Sequence, residues 1–215
     1  MTNSNDLDRR AVLALVAGAT LAGSMAYAQD ATPSDDDMSA PVVEEFSMGN
    51  PDAAVTVIEY ASFTCPHCKN FHHDVFPDLK ANYIDTGKIL FIYRPVYFDG
   101  PGLWADMVAR CGGQERYFGI ASMLYERQSD WAHLSSQADV SAALQAIGRL
   151  AGLEDDAIIA CMQDNELAQA LVGAFRENMA RDNVQATPTF IINGELNSNM
   201  GYATFAQILD EKLAE

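Results

Sequence analysis

Two cysteines three positions apart, Cys65 and Cys68, stand between an apolar run rich in β-branched residues and a stretch of helical periodicity, and that junction constrains the fold most. The run is Ala54-Val55-Thr56-Val57-Ile58-Glu59-Tyr60. It is nearly unbroken, as a strand buried on both faces would be. Beyond the cysteines, Phe71, Val75, Leu79 and Tyr83 recur every four residues, which predicts a helix over 66–85, kinked or broken at Pro77 and closed by Gly87. A second short apolar run, Ile89-Leu90-Phe91-Ile92-Tyr93, lies between Lys88 and Arg94-Pro95. An intervening helix places this strand parallel to the first.

From about 99 to 183 only helical periodicities occur, among them Leu103, Met107, Cys111; Tyr117, Ala121, Leu124; Val140, Leu144, Ile147; and Leu167, Leu171, Phe175, Met179. Gly112-Gly113, Ser135-Ser136 and Gly152 punctuate them, so this region reads as an all-helical insertion. Thr187-Pro188-Thr189-Phe190-Ile191-Ile192-Asn193-Gly194 then reads as a strand and a tight turn, followed by a terminal helix from about Ala203.

Arg9 and Arg10 precede an apolar run, Ala11 to Met25, that ends in Ala26-Tyr27-Ala28, which predicts a signal peptide over 1–28 cleaved after Ala28. An uncleaved anchor is the weaker reading, because Gly18, Thr20, Gly23 and Ser24 interrupt the run. The twin-arginine and the general secretory routes both fit Asp8-Arg9-Arg10-Ala11-Val12-Leu13. Either puts all four cysteines in an exported, periplasmic protein, where disulfides persist. Residues 29–46 follow as an acidic flexible tether. Its Asp35-Asp36-Asp37 run lacks the ligand spacing of a calcium loop. The net charge of -17 and the absence of a basic patch argue against nucleic-acid binding.

At a helix start, unpaired amides and the macrodipole favour the thiolate of Cys65, and His67, if protonated, adds a positive neighbour. A stabilised thiolate makes the bridged pair oxidising and Cys65 a good leaving group. Cys68, one turn in, is expected to be more buried and to resolve or release mixed disulfides. Glu59 is polar within an apolar strand and reads either as a buried carboxylate relaying protons to Cys68 or as a surface-facing residue. His67, His72 and His73 raise the alternative of a metal site. One Cys-x-x-Cys is half of a structural zinc set, nothing completes it, and the histidines read mainly as surface groups, so no metal is expected. Cys111 and Cys161, fifty positions apart, are expected to close a structural disulfide, with two buried free thiols as the alternative. No Gly-x-Ser-x-Gly, Gly-x-x-x-x-Gly-Lys or His-Glu-x-x-His motif points to a hydrolase or nucleotide enzyme.

The segments Ile58-Glu59-Tyr60-Ala61-Ser62-Phe63-Thr64-Cys65-Pro66-His67-Cys68 and Ala186-Thr187-Pro188-Thr189-Phe190 resemble the DsbA-like family of secreted thiol:disulfide oxidoreductases, over about residues 47 to 213. The resemblance implies an α/β thioredoxin-like fold with an inserted all-helical subdomain: residues 47–98 as its first half, 99–183 as the insertion, 184–215 as its second half. It implies that Cys65 and Cys68 are catalytic, with Pro66, His67 and Glu59 around them. Pro188 would be cis and face the disulfide, and Thr187 would offer its backbone to substrate. The implied activity is donation of disulfides to reduced exported polypeptides by a monomer without a cofactor, reoxidised by a membrane-bound partner of DsbB type. Thr187 departs from the valine of the most familiar oxidant, which keeps a disulfide isomerase or reductase open. A metal-handling or peptide-holding protein is the reading from another class.

Overall fold

The first strand-forming run becomes the centre of a five-stranded sheet in the computed structural model, which describes residues 43–215. The expected signal peptide, the aspartate run and the tether as far as residue 42 lie outside the described residues. The sheet order is β1-β3-β2-β4-β5. Strand β1 is Phe46–Gly49, β2 Val55–Ala61, β3 Ile89–Pro95, β4 Thr189–Ile192 and β5 Glu195–Ser198. β2 runs parallel to β3, with Val55 opposite Ile89 and Ala61 opposite Pro95. It is antiparallel to β4, with Glu59 opposite Phe190 and Tyr60 opposite Thr189. All four residues of β4 are buried, and Val55, Val57, Tyr60 and Ala61 of β2 are sealed, as their apolar composition requires.

Two edge strands escape a reading by apolar pattern. β5, Glu-Leu-Asn-Ser, is largely exposed, and an edge strand need bury little. β1, Phe-Ser-Met-Gly, has no β-branched residue and sits where the tether was expected to end. Its anchor is Phe46, 4% exposed, with the Arg110 guanidinium 4.8 Å above its ring. Arg110 also donates to the Glu44 carbonyl at 2.9 Å, and Arg94 pairs with Glu45, so the chain is tied down from residue 44. Gly49 closes β1 at φ +90°, where a Cβ would lie 2.2 Å from the Ile89 carbonyl oxygen. Only glycine fits there.

The helix expected over 66–85 is three pieces: α1 (Pro66–Asp74), α2 (Phe76–Leu79) and a π-helical turn (Lys80–Ile84). The break falls at Val75, so that Pro77 lies in the first turn of α2, where a missing N–H costs nothing. Six helices occupy the insertion: α3 (Gly100–Cys111), α4 (Gly113–Glu126), α5 (Gln128–Trp131), α6 (Gln137–Leu150), α7 (Asp155–Gln163) and α8 (Asn165–Arg181). Asp99, Ser136 and Asp164 cap α3, α6 and α8 by accepting from the amides of Gly102, Asp139 and Leu167. Tyr117, Leu124, Trp131, Leu144 and Ile158 join the sheet's Phe91 and Tyr93 in one core. Helix α9 (Tyr202–Leu213) closes the chain, burying Phe205 and Leu209 in the same core. No described helix is long and apolar enough to cross a membrane.

A disulfide joins Cys111, at the end of α3, to Cys161 in α7, with Cα atoms 6.0 Å apart and 50 positions between them. The alternative of two buried free thiols is thereby set aside. Closing a loop of that size contributes up to about 4 kcal/mol by restricting the unfolded chain. A Cys111→Ser/Cys161→Ser variant is expected to lose about 2–4 kcal/mol in urea unfolding with the Cys65/Cys68 pair held reduced in both proteins. A loss below about 1 kcal/mol would show that the bridge does not restrict the unfolded chain as loop closure requires.

Candidate active site

The chain leaves β2 through the buried residues Ser62, Phe63 and Thr64 and turns so that the Cys65 amide donates to the Ser62 carbonyl at 3.1 Å. Cys65 is the residue that caps α1, in extended conformation, and Pro66 occupies the first turn. No side chain satisfies the helix start, which leaves the first-turn amides free for a sulfur. The Cys65 thiol is lowered from 9.0 to about 5. The largest cause is the hydrogen bond from the Cys68 thiol; burial opposes it, and the Thr187 side chain and the amides of Cys68 and His67 assist. The Thr187 hydroxyl forms no hydrogen bond of normal geometry, so its part is that of a nearby dipole. As a thiol, Cys65 Sγ donates to the Thr187 carbonyl at 3.6 Å.

Cys68 is sealed, and burial, its hydrogen bond to Cys65 and the charge of Glu59 push its thiol far above the ordinary range. Both are free cysteines. Glu59, on the central strand, is 0% exposed, which removes the surface-facing reading. Its two carboxylate oxygens lie 3.1 and 3.0 Å from Nε2 of His72. The His72 ring stacks on Tyr125 at 4.2 Å between centroids. The Tyr125 hydroxyl meets that of Tyr93 at 2.6 Å, and Tyr93 donates to the Ala61 carbonyl at 3.3 Å. Burial raises both tyrosines well above their ordinary range.

Cys65, Cys68, Thr187 and Pro188 therefore meet where β2 ends, α1 begins and β4 starts, with a cis bond between Thr187 and Pro188. His67 reaches Cys65 through its amide, while the residue itself is exposed. Cys111 and Cys161 stand apart, in the helical insertion. His72 corrects the reading of it as a surface group: its side chain is 8% exposed and it pairs with Glu59. Its spacing of four from Cys68 put it on the right helix face; the carboxylate it meets lies on another element. Gln128 was missed altogether. Buried on α5, it donates through Nε2 to the carbonyls of Phe63 at 2.7 Å and Cys65 at 3.0 Å. Only its polarity beside Trp131 could have marked it. Among the described residues, no three of His, Cys, Asp and Glu form a cluster suited to a metal ion.

A family model described as Thioredoxin matches residues 42–211. The crystal structure of Wolbachia pipientis alpha-DsbA1 resembles this chain with a TM-score of 0.75 and 31% identity, covering 81% of this chain and 93% of that one. Disulfide bond formation protein D of Bacillus subtilis is 27% identical over 178 residues, 77% of this chain and 76% of that protein. A Rickettsia bellii protein, provisionally named a protein-disulfide oxidoreductase, is 29% identical over 169 residues, 78% of this chain. The chain spans 60 to 64% of the length of that protein and its counterparts in other Rickettsia species.

A lowered thiol has a defined consequence for pH. Between about 5 and 9 the unfolded thiol holds a proton that the folded reduced Cys65 has lost, so the reduced protein gains stability as pH rises through that window. Thiolate absorbance of the reduced protein is expected to rise with a midpoint near 5. Denaturation from pH 4 to 9 is expected to show the reduced form gaining on the oxidised form; a flat difference, or a midpoint near an ordinary thiol's 8.5, would remove the stabilised thiolate.

Proposed function

The chain belongs to the DsbA-like branch of the thioredoxin family, and from that premise we propose that it is a thiol:disulfide oxidoreductase that donates disulfides to reduced exported polypeptides. The observation that carries this reading is the opposite treatment of two sulfurs one turn apart: Cys65 held as a thiolate, Cys68 as a thiol. A substrate thiolate attacks Sγ of Cys65, the Cys65–Cys68 bond breaks, and Cys68 leaves and takes a proton. The second substrate thiolate then attacks the substrate sulfur of the mixed disulfide and expels Cys65 as its thiolate. At pH 7, a thiol at about 5 favours the reduced protein by about two pH units, which raises the potential by at most about 60 mV.

Pro188 has no N–H to donate, and the Thr187 carbonyl lies within reach of Cys65, so an extended substrate segment beside β4 would pair with backbone rather than with a particular side chain. Recognition is then largely indifferent to sequence. Regeneration of the consumed disulfide calls for a reoxidising partner of DsbB type. The protein works as a monomer, without a bound cofactor, in the periplasm, where the 1–28 leader delivers it. The Cys111–Cys161 bridge is structural.

Rapid mixing of the oxidised protein with a reduced, unfolded polypeptide is expected to give fast disulfide transfer, together with slow reduction of insulin. Cys65→Ser is expected to abolish transfer, and Cys68→Ser to trap a mixed disulfide on Cys65. Reduction or reshuffling that outpaces oxidation would assign the isomerase or reductase role instead. A biological activity that survives Cys65→Ser would point to a peptide-holding or metal-handling protein.

A further inference from the structure

Cys68 leaves the broken disulfide as a thiolate in a place where water does not reach it. The sulfur and its neighbour Glu59 are both sealed. A proton for Cys68 can pass through the Glu59 carboxylate, but it has to reach that carboxylate first, and the hydrogen-bonding partner of Glu59 among the described residues is His72 Nε2 alone. The route to water therefore has to run through that ring.

The ring is suited to it. The His72 side chain is 8% exposed, against 0% for Glu59. Thr187 Oγ1 is the one sealed side-chain polar atom without a partner among the described residues. His72 Nδ1 has no hydrogen-bond partner among the described residues, on a side chain that keeps 8% of its surface exposed. One ring nitrogen is on buried Glu59, and the other is left for exchange through the part of the ring that solvent reaches. Face stacking on Tyr125, with Phe76 at 4.7 Å and Phe71 at 5.6 Å, holds the ring in that bridging position. The titratable groups beside it among the described residues are Glu59 of β2, Tyr93 of β3 and Tyr125 of α4, with Cys68 one turn earlier on α1. The tyrosines, raised by burial, stay neutral and do not compete for the proton.

We propose that His72 is the proton conduit between bulk water and the Glu59–Cys68 pair, a positioning residue that gains a proton at Nδ1 and delivers one from Nε2. The proposal rests on the oxidoreductase reading. When the Cys65–Cys68 bond breaks, Nε2 gives its proton to the Glu59 carboxylate while water supplies Nδ1, and Glu59 passes that proton to the electron pair left on Cys68 and is a carboxylate again. The substrate dithiol sheds two protons per disulfide formed, one balanced by Cys68 and one left in solution because Cys65 stays a thiolate. Imidazole alone among side chains has two exchanging nitrogens and an unperturbed pKa that lets it trade protons near neutral pH.

His72→Gln keeps a donor for Glu59 but has no second exchanging nitrogen, and His72→Phe keeps the stack on Tyr125 without the bond. Single-turnover transfer to a reduced, unfolded polypeptide would be followed from pH 5 to 8 in H2O and D2O. Both variants are expected to slow the step on the order of 100-fold, with a larger solvent isotope effect, a flattened pH profile, unchanged substrate KM and an unchanged Cys65 thiolate titration. Adding Glu59→Gln to His72→Gln should slow it no further. A folded His72→Gln protein with the wild-type rate and pH profile would overturn the conduit, as would fully additive losses. Should His72→Phe fail to fold, His72→Gln decides. Wild-type protein that transfers no disulfide would refute the disulfide-donor reading, whereas normal wild-type transfer beside unaffected variants refutes the conduit alone.

Discussion

A sulfur held at the unsatisfied start of a helix is the interaction on which the rest depends. The first-turn amides of α1 have no capping side chain, and the amides of His67 and Cys68 serve the Cys65 sulfur instead. That requires the carbonyls next to the sulfur to be engaged elsewhere. Gln128 engages them, donating through Nε2 to the carbonyls of both Phe63 and Cys65. The insertion therefore does more than cover the sheet: one of its side chains fixes the backbone whose amides set the chemistry.

The second requirement is unequal burial within a single helical turn. Proximity to Cys68 helps Cys65 most when Cys68 keeps its proton to donate, and Cys68 keeps it because burial and the negative charge of Glu59 both oppose a second thiolate. β2 supplies that charge from the middle of the sheet, opposite Phe190 of β4. Tyr93 and Tyr125, bonded to each other, fill the space beside it with groups that stay neutral. Charge at Cys65 and neutrality at Cys68 are thus one arrangement, produced by a strand, a helix start and the helical layer together.

The sequence made legible what depends on local pattern. Strands β2, β3 and β4 carry β-branched or aromatic runs, the insertion carries helical periodicity, and Cys65 and Cys68 fall at the junction where a helix begins. Features that depend on contacts distant in the chain were not legible. β1 holds its place through Phe46 beneath Arg110, sixty-four positions away, and through a glycine fitted against Ile89. The π-helical turn after α2 has no distinct periodicity, since its side chains continue the helical recurrence. Pro77 announced a break, yet the break fell two residues earlier because a proline is better tolerated inside the first turn of a new helix than at the end of an old one. Glu59 and His72 were each visible as an oddity, a carboxylate in an apolar strand and a histidine on a helix face. Only the fold paired them.

Comparison of two buried carboxylates shows why that pair belongs to the chemistry and not to the scaffold. Asp106 is equally sealed, yet it accepts from the Tyr97 hydroxyl at 2.6 Å, the Tyr117 hydroxyl at 2.7 Å and Arg110 Nε at 2.8 Å. Arg110 cannot surrender its proton near neutral pH, so that cluster is a fixed arrangement of charge. Among the described residues Glu59 meets a single hydrogen-bonding side chain, and it is a histidine. A buried carboxylate held by three donors, one of them a guanidinium, is fixed in place; one met by a single imidazole is joined to a group that can exchange protons. The thinly served polar groups, Glu59 and the Thr187 hydroxyl, which has no partner among the described residues, both lie close to the cysteine pair. Local satisfaction is given up where charge has to move during disulfide exchange, and kept where it has only to hold the fold.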